Sequence, residues 1–144
     1  LDARVLPTDS ALMAQAKAEV INRHHFFVEW FTGRAPETAM LASAKAFAPD
    51  MLMIEPDGKL IDADQIVAMI RNAQSKRPTD FEIRVEVIDA RPIGDDLALV
   101  TYDEHQVIDG RKSARRSSAL FSADPAAPEG VVWRHLHETW ITND

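Results

Sequence analysis

The hydrophobic period of the chain changes at Pro78, and this change constrains the fold more than any other feature. Before Pro78, apolar residues recur every three or four positions, as at Leu12, Ala16 and Val20. After it, the stretch "FEIRVEVI" alternates apolar with charged residues. A period near 3.6 predicts helices, and a period of 2 predicts strands with one buried face. The sequence therefore predicts helices followed by a sheet, which is the α+β class.

Three helices and a hairpin are predicted in the first half of the chain. The first helix ends before Gly33, because glycine is common just beyond a helix C-terminus. "APETAMLASAKAFAPD" predicts a second helix that opens at Pro36, carries its apolar stripe through Phe47 and stops at Pro49. "MLMIEPDGKLID" predicts a short hairpin, and Asp62 then caps a third helix.

Four strands joined by short turns are predicted in the second half. Gly94-Asp95-Asp96 and Asp109-Gly110 are turn sequences, and each separates two strand-like runs. A loop over residues 124–130 leads to the last strand, Val131 to Ile141. Consecutive strands with short connections pair antiparallel. We therefore expect one domain over residues 1–144, with an antiparallel meander that carries the helices on one face.

Composition excludes several classes of function. No apolar run approaches the roughly 20 residues of a membrane-spanning helix, so we expect no membrane insertion. The net charge is −7 and the densest cationic stretch is "GRKSARR", which argues against a nucleic-acid partner. Cysteine is absent, so thiolate nucleophiles and cysteine metal sites are excluded. The sequence indicates no compartment, and we expect no cofactor because it contains no glycine-rich phosphate loop.

The last strand, "VWRHLHETW", carries polar residues on both faces. A regular pleat places Trp133, His135 and His137 on one face and Leu136 and Glu138 on the other. A sheet with one face on a core and one in water shows a cleaner alternation. Unpaired polar groups inside a core would cost roughly 1–3 kcal/mol each. The pattern therefore predicts a partly apolar cavity between the sheet and the helices, the usual form of a small-molecule site.

Three stretches carry a resemblance to a known superfamily. "FFVEWFTG" closes the first helix, "FAPDMLMIEPDG" leads into the hairpin, and "RSSALF" precedes "VVWRHLHETW". Together with the order of elements, they resemble the nuclear-transport-factor-2-like superfamily, which includes the SnoaL-like polyketide cyclases and ketosteroid isomerases. The resemblance covers nearly the whole chain. It implies a cone-shaped curved antiparallel sheet with about three N-terminal helices packed on its concave face.

The resemblance to the steroid-isomerase branch is incomplete at the catalytic positions. That branch uses a carboxylate base, and a phenol and a protonated acid hold the oxyanion. The base position falls at Glu55, but the phenol position falls near His24 and the second acid falls near Ser117 or Ser118. Function must therefore be inferred from this chain's own site.

His135 and His137 have three possible roles. Both imidazoles would reach one metal ion on a shared face, with Glu104, His105 or Glu55 as a third ligand. A His-x-His metal site of the cupin kind has a carboxylate a few residues later on the same face, whereas Glu138 lies on the other face, so we predict no metal. His137 is then either a structural residue packed beside the strand's tryptophan or a pocket residue that moves a proton.

We predict a ligand site at the concave side of the sheet. The candidate catalytic residues are Glu55 and His137, and Arg116 is the candidate anchor for an anion or a carboxylate. His137 is expected to face the pocket close to Arg116 and to Tyr102 or Glu104. The expected ligand-binding residues are His24, Trp30, Tyr102, Glu104, Arg116, Ser118 and His135.

Two functions are compatible with this site. The first is a small-molecule-binding domain that holds an apolar, oxygenated ligand. The alternative is a cofactor-independent acid–base enzyme of the isomerase, cyclase or dehydratase type, which uses Glu55 and His137. We also expect a homodimer through the outer face of the sheet, because Leu136 and Trp140 alternate with Arg134 and Glu138 like an interface with a polar rim.

Overall fold

The fold is a three-helix layer packed on a six-stranded sheet. The computed structural model describes residues 7–142, with side chains from residue 11 onward. Within that part of the chain, no helix has the length and apolarity that crossing a membrane requires. The elements in chain order are α1 (Pro7–Phe31), α2 (Glu37–Ala44), β1 (Phe47–Ile54), β2 (Leu60–Asp62), α3 (Ala63–Asn72), β3 (Glu82–Ile93), β4 (Leu97–Ile108), β5 (Arg111–Ala123) and β6 (Val131–Trp140).

The sheet has the strand order β2-β1-β6-β5-β4-β3. Strands β3 to β6 form the predicted antiparallel meander, and β1 and β2 form the predicted hairpin. Strand β1 pairs with β6 in parallel, so the sheet is mixed where an antiparallel one was expected. Sequence patterns identify hairpin pairs, but they carry no signal for the orientation of strands far apart in the chain. The α+β class and the cone-like arrangement are as predicted.

The helices are held to the sheet by an apolar core and by a few buried hydrogen bonds. Helix α1 contacts β3, β4, β5 and β6, and α3 contacts β1 and β2. Trp30 has no exposed surface, and its indole nitrogen donates to the carbonyl oxygen of Ile70 at 2.8 Å, which joins α1 to α3. Asp62 and Gln65 form the predicted capping box at the start of α3, with both hydrogen bonds at 2.9 Å.

The predicted end of the second helix is wrong. Helix α2 stops at Ala44, and both Phe47 and Pro49 belong to β1. The register of β1 against β6 is irregular between Phe47 and Leu52. Pro49 lies inside this irregular stretch, where a residue without an amide hydrogen interrupts no regular ladder.

A β-bulge in β6 decides which side chains reach the concave face. Phe121 of β5 pairs with Trp133, but its neighbour Leu120 pairs with His135, so Arg134 is an extra residue in β6. The extra residue reverses the pleat. Trp133 points to the concave side, and beyond the bulge the concave side is occupied by Leu136 and Glu138, while His135 and His137 point outward.

Candidate functional site

The concave side of the sheet and the helices enclose a cavity of about 140 Å³. Its walls are mostly aromatic, methionine and aliphatic side chains from α1, α3 and β1, including Phe27, Phe31, Phe47, Met53 and Met69. Met69 is 43% exposed, so it lies at the opening. The polar side chains that line the cavity come from α1 and from strands β4 to β6: His24, Tyr102, Glu104, Gln106, Arg115 and Glu138.

His24 and Glu104 form a buried ion pair beside the cavity. The imidazole Nε2 donates to the Glu104 carboxylate at 3.0 Å, and Nδ1 donates to the carbonyl oxygen of Val20 at 2.7 Å. Both ring nitrogens therefore face acceptors, which favours the charged imidazole. Burial lowers the pKa of His24, but the charge and hydrogen bond of Glu104 and the Val20 carbonyl outweigh burial, so the pKa is raised.

The carboxylate of Glu104 is held in its charged form. Burial raises its pKa, but the charge and hydrogen bond of His24, the charge of Arg115 and a hydrogen bond from Gln106 bring the pKa down to about 2. Gln106 donates its amide to the second Glu104 oxygen, so both oxygens are occupied. At neutral pH, Glu104 is therefore a fixed negative charge that holds the imidazolium of His24.

Glu138 is the second carboxylate of the site, and its environment differs from that of Glu104. Its oxygens accept weak hydrogen bonds from Arg115 at 3.3 Å and from Ser117 at 3.5 Å. Burial and the charge of Glu104 raise the pKa of Glu138, and Arg115 offsets only part of this rise. Two neighbouring carboxyl groups whose pKa values move in opposite directions are typical of sites that bind or transfer protons.

Two buried polar atoms beside Glu138 lack hydrogen-bond partners among the residues that the structure describes. They are the Tyr102 hydroxyl and Nε of Arg115. Burial and the charges of Glu138 and Glu104 raise the pKa of Tyr102 well above its usual value, so the phenol stays protonated. Arg115 also stacks on Trp140, with 4.8 Å between its guanidinium carbon and the ring centroid. A buried donor without an acceptor is uncommon in folded proteins, so these two atoms make this end of the cavity a candidate site for a polar group of a ligand.

A separate buried polar cluster lies between α1, α2 and β6. Arg23 donates two hydrogen bonds to the Glu19 carboxylate, at 2.7 and 2.9 Å, and a third to Ser43 at 2.8 Å. The indole nitrogen of Trp133 also donates to Glu19 at 2.7 Å. Glu19 has no exposed surface and Arg23 is 5% exposed. These residues satisfy one another and none of them but Trp133 lines the cavity, so the cluster is structural.

The comparison with protein families decides the assignment of the chain. The model of the family described as sucrose-6-phosphate phosphohydrolase C-terminal matches residues 16–142. The chain belongs to the sucrose-6-phosphate phosphohydrolase C-terminal family.

The relatives of this family domain are larger proteins. Sucrose-phosphatase 1 of Nicotiana tabacum is 23% identical over 127 residues, which is 85% of the chain and 30% of that protein. Sucrose-phosphatase 2 of the same plant is 24% identical over an alignment of the same extent. The chain therefore spans about 30% of the length of the curated relatives it matches.

Solved structures confirm the nuclear-transport-factor-2-like fold of this family domain. An NTF-2-like protein of unknown function from Pseudomonas aeruginosa is 26% identical, with a TM-score of 0.80 over 89% of the chain and 99% of that protein. A ketosteroid isomerase-like protein from Erwinia carotovora atroseptica is 11% identical, with a TM-score of 0.65 over 96% of the chain and 100% of that protein. The second likeness concerns the fold alone.

Three of the residues that the sequence nominated line the cavity. They are His24, Tyr102 and Glu104. The apolar side of α1, which includes Val20 and Phe27, faces the sheet, and His24 lies on the same side of the helix. The period of 2 in β4 places Tyr102 and Glu104 on one face, with Gln106 following them.

The other nominated residues lie outside the cavity. Glu55 follows β1 at the hairpin turn, and Trp30 is buried in the core with its indole nitrogen bound. Arg116 points outward and forms a two-bond ion pair with Asp103, at 2.7 and 2.9 Å, which lowers the pKa of Asp103. Ser118 and His135 also lie on the outer face, where Ser118 pairs with His137 and His135 with Leu120.

The expected pocket position of His137 is wrong. The side chain is exposed on the outer face, because the extra residue Arg134 reverses the pleat between Trp133 and His137. Neither His135 nor His137 belongs to a group of three or more potential metal ligands among the described residues. One such group, Glu86, Asp103 and His105, lies elsewhere, and Arg116 already occupies both oxygens of its Asp103.

Sequence reasoning missed Arg115 and Glu138 as site residues, and it considered Ser117 only as a match to the second acid of the steroid isomerases. The prediction of Arg116 and Ser118 as pocket residues placed Leu120 on the concave face with them, because the three residues alternate along one strand. Phe121 provides the correct anchor, because it is larger, has no exposed surface and shares its face with Ser117 and Arg115. In β6, Trp133 and Leu136 both face the concave side although three positions separate them. A regular strand places residues on one face at even spacings, so these two large apolar residues were the available signal for a bulge.

Proposed function

We propose that this domain binds a small, apolar, oxygenated molecule in the cavity between the sheet and the helices. The proposal rests on the separation of apolar and polar side chains around the cavity. Its walls are apolar and aromatic, whereas its polar side chains are gathered at one end, where the pairs His24–Glu104 and Arg115–Glu138 meet. An apolar pocket with a few convergent polar groups is the usual form of a small-molecule site.

The charges at the polar end favour an uncharged ligand. With both pairs ionised, two positive and two negative groups face one another and their sum is zero. A ligand that carried its own charge would have to be desolvated in a buried site with no opposite charge to spare, which is unfavourable. A hydroxyl or carbonyl oxygen avoids this problem, because it exchanges hydrogen bonds with the polar end while the rest of the molecule packs against Phe27 and Phe31.

The relation to the sucrose-phosphatases supports a binding role for this domain. The activity in their names belongs to the whole proteins, of which this domain is one part. A domain of this family occupies about 30% of each Nicotiana tabacum protein. The charges at the polar end of the cavity balance one another, so they leave no surplus positive charge to hold a phosphate ester. We therefore propose that this chain contributes binding and not phosphate-ester hydrolysis.

A cavity-filling variant tests the proposal. Hexan-1-ol is titrated into the protein, and binding is followed by NMR chemical shifts. Met69→Trp would fill the opening of the cavity and weaken binding by about tenfold or more, the equivalent of about 1.4 kcal/mol. Leu41→Trp is the matched control, because Leu41 is also helical, is 54% exposed and lies outside the cavity lining. Equal affinity in the two variants would contradict the proposal.

The alternative function, a cofactor-independent acid–base enzyme, now rests on Glu138. The raised pKa of this carboxyl group, next to the fixed charge of Glu104, suits a group that accepts and returns a proton. Its test is the exchange of the α-hydrogens of cyclohexanone in D₂O. An enzyme should accelerate this exchange, and Glu138→Gln should abolish the acceleration. Exchange at the buffer rate in the wild-type protein would reject the alternative.

We also propose a homodimer through the outer face, although on residues other than those first expected. Leu136 lies on the concave side and Trp140 stacks on Arg115, so neither belongs to an outer-face interface. The outer face instead carries a row across four strands: Leu52, His135, Leu120 and Leu99. Light scattering should give twice the chain mass of 16.1 kDa, and Leu120→Lys should give monomers. A monomeric wild-type protein at micromolar concentration would reject the dimer.

A further inference from the structure

A second, larger depression adjoins the cavity, and the proposed function does not use it. This outer groove has a volume of about 1020 Å³ and lies between α1 and the ends of three strands. Helix α1 contributes Ile21, His25 and Val28, and the strands contribute Arg84, Lys112 and Ser113. Its lining differs from that of the cavity, because polar and charged side chains make up a larger share of it.

The cavity and the outer groove share a wall. His24, Ile83 and Gln106 line both spaces. His24 and Gln106 are also the two hydrogen-bond donors of Glu104. The two spaces therefore adjoin at these side chains, and the polar ones among them already belong to the polar end of the cavity.

Volume indicates that the cavity holds only part of a ligand. Pockets for small organic ligands commonly measure roughly 300–1,000 Å³. The cavity, at about 140 Å³, falls below this range, and the outer groove brings about 1020 Å³ directly beside it. A ligand that fills both spaces would have a small apolar end and a larger polar end.

The lining of the outer groove identifies the chemistry of that polar end. Arg84 and Lys112 are positive, whereas Glu82 and Glu29 are negative, so the groove does not select an anion or a cation. The lining therefore offers both hydrogen-bond donors and acceptors, and hydroxyl groups both donate and accept. Ile21 is 51% exposed and, with Val28, offers an apolar patch for the carbon-bound hydrogens of a ring. A neutral, hydroxyl-rich ring such as a sugar satisfies all three features.

We propose that the ligand is amphipathic, with a small apolar end in the cavity and a neutral, hydroxyl-rich end, such as a sugar ring, in the outer groove. The inference rests on the proposed function, since the apolar end occupies the same cavity. His24 and Gln106 lie at the junction, where the linking oxygen of such a molecule passes between the two spaces.

Three probes test the inference by NMR titration: hexan-1-ol, hexyl β-D-glucopyranoside and methyl β-D-glucopyranoside. The hexyl glucoside should bind about tenfold tighter than hexan-1-ol, the gain that about 1.4 kcal/mol of new hydrogen bonding provides. Arg84→Ala should remove most of this gain and leave the affinity for hexan-1-ol unchanged. Arg91→Ala is the matched control, because Arg91 lies on the same strand, is similarly exposed and is not part of the groove lining.

The outcomes separate the inference from the proposed function. If hexan-1-ol and the hexyl glucoside bind equally, or if Arg84→Ala and Arg91→Ala behave alike, the inference is wrong and the cavity alone is the site. If methyl glucoside binds as tightly as hexyl glucoside, the apolar end contributes nothing and the inference is again wrong. If hexan-1-ol and both glucosides fail to bind, the proposed function and the inference fail together.

Discussion

The domain contains two buried clusters of charged side chains, and they are built differently. In the first, Glu19 is held by Arg23 and Trp133, and Arg23 also donates to Ser43. In the second, His24 pairs with Glu104 while Arg115 reaches Glu138 only at 3.3 Å. The first cluster is closed by short hydrogen bonds, and an arginine remains charged at any pH that the protein survives. The second contains an imidazole, a carboxyl group with a raised pKa and unpartnered donors beside a cavity.

Charge is buried in two ways in this domain: a fully paired cluster stabilises the fold, and an incompletely paired cluster lies beside the cavity. A charge that cannot be removed must be fully paired, and the Glu19 cluster then fixes α1 against α2 and β6. A titratable charge has a second, neutral state, so an incompletely paired cluster can exist beside a cavity and respond to a ligand. His24 and Arg23 are neighbours on α1, yet they belong to opposite kinds of cluster because they lie on different sides of the helix.

The largest expected effect comes from opening the closed cluster. Glu19→Gln removes the charge that balances Arg23 and should destabilise the domain by about 3–5 kcal/mol, because an uncompensated charge remains buried. Urea denaturation measures the change. Glu29→Gln is the control, since Glu29 is half-buried and pairs with Arg34 near the surface, and its loss should cost no more than about 1 kcal/mol. Similar losses for the two variants would refute the structural role of Glu19.

A smaller effect is expected at the cavity. Glu104→Gln also removes a buried carboxylate, but His24 can release its proton, and the repulsion with Glu138 disappears. We expect a loss of about 1–3 kcal/mol by urea denaturation at neutral pH. A loss as large as that of Glu19→Gln would show that the two clusters do not differ in the way described.

The pH dependence of stability offers another test, because the cavity cluster contains three groups whose pKa values are shifted in the fold. Glu104 has a pKa of about 2 in the fold, below its ordinary 4.5, so its contribution is present above pH 4.5 and is lost as the pH falls toward 2. His24 has a raised pKa, so its contribution is present below pH 6.5 and is lost as the pH rises through the folded value. Glu138 acts in the opposite direction to Glu104, because its raised pKa makes ionisation above pH 4.5 unfavourable to the fold.

His24→Gln should therefore reduce the decline in stability above pH 6.5. Glu104→Gln should reduce the decline between pH 4.5 and 2, part of which belongs to Asp103, whose pKa is also lowered. Urea denaturation across this pH range measures both. His25→Gln is the matched control, because His25 is the next residue of α1 and is exposed. A wild-type profile that His24→Gln leaves unchanged would contradict the ion pair as described.

The smallest effect is expected at the histidine that the sequence nominated first. His137 is exposed on the outer face, so His137→Gln should change stability by no more than about 0.5 kcal/mol and leave hexan-1-ol binding unchanged. Stability is measured by urea denaturation and binding by NMR titration. Loss of binding in this variant would place the ligand on the outer face.

The sequence predicted what local rules determine. The change of period at Pro78 and the turn residues predicted the helices, the meander and the hairpin, and capping chemistry located the start of α3 at Asp62. The superfamily resemblance predicted the cone. Regular periodicity also brought His24, Tyr102 and Glu104 to the concave side, because α1 and β4 contain no bulge between those residues and the core.

The rest of the site depends on long-range pairing, which the sequence does not state. One extra residue, Arg134, moves His137 to the outer face and Glu138 to the concave face. If strict alternation is assumed without that bulge, both residues are assigned to the wrong face. The parallel contact of β1 with β6 has no local signal either. The Glu19 cluster could have been found, because Glu19 and Arg23 are four apart within the buried sector of α1, where charged residues are unusual unless paired.

The ring resonances of His24 offer the most direct test of the central claim, that the cavity beside the His24–Glu104 pair is the ligand site. The five histidines are followed by NMR while hexan-1-ol is added, and His24→Gln assigns the key signals. We expect a saturable shift of the His24 ring and of the Trp133 indole, with the rings of His135 and His137 unchanged. Shifts confined to His135 and His137, or no saturable shift at His24, would contradict it.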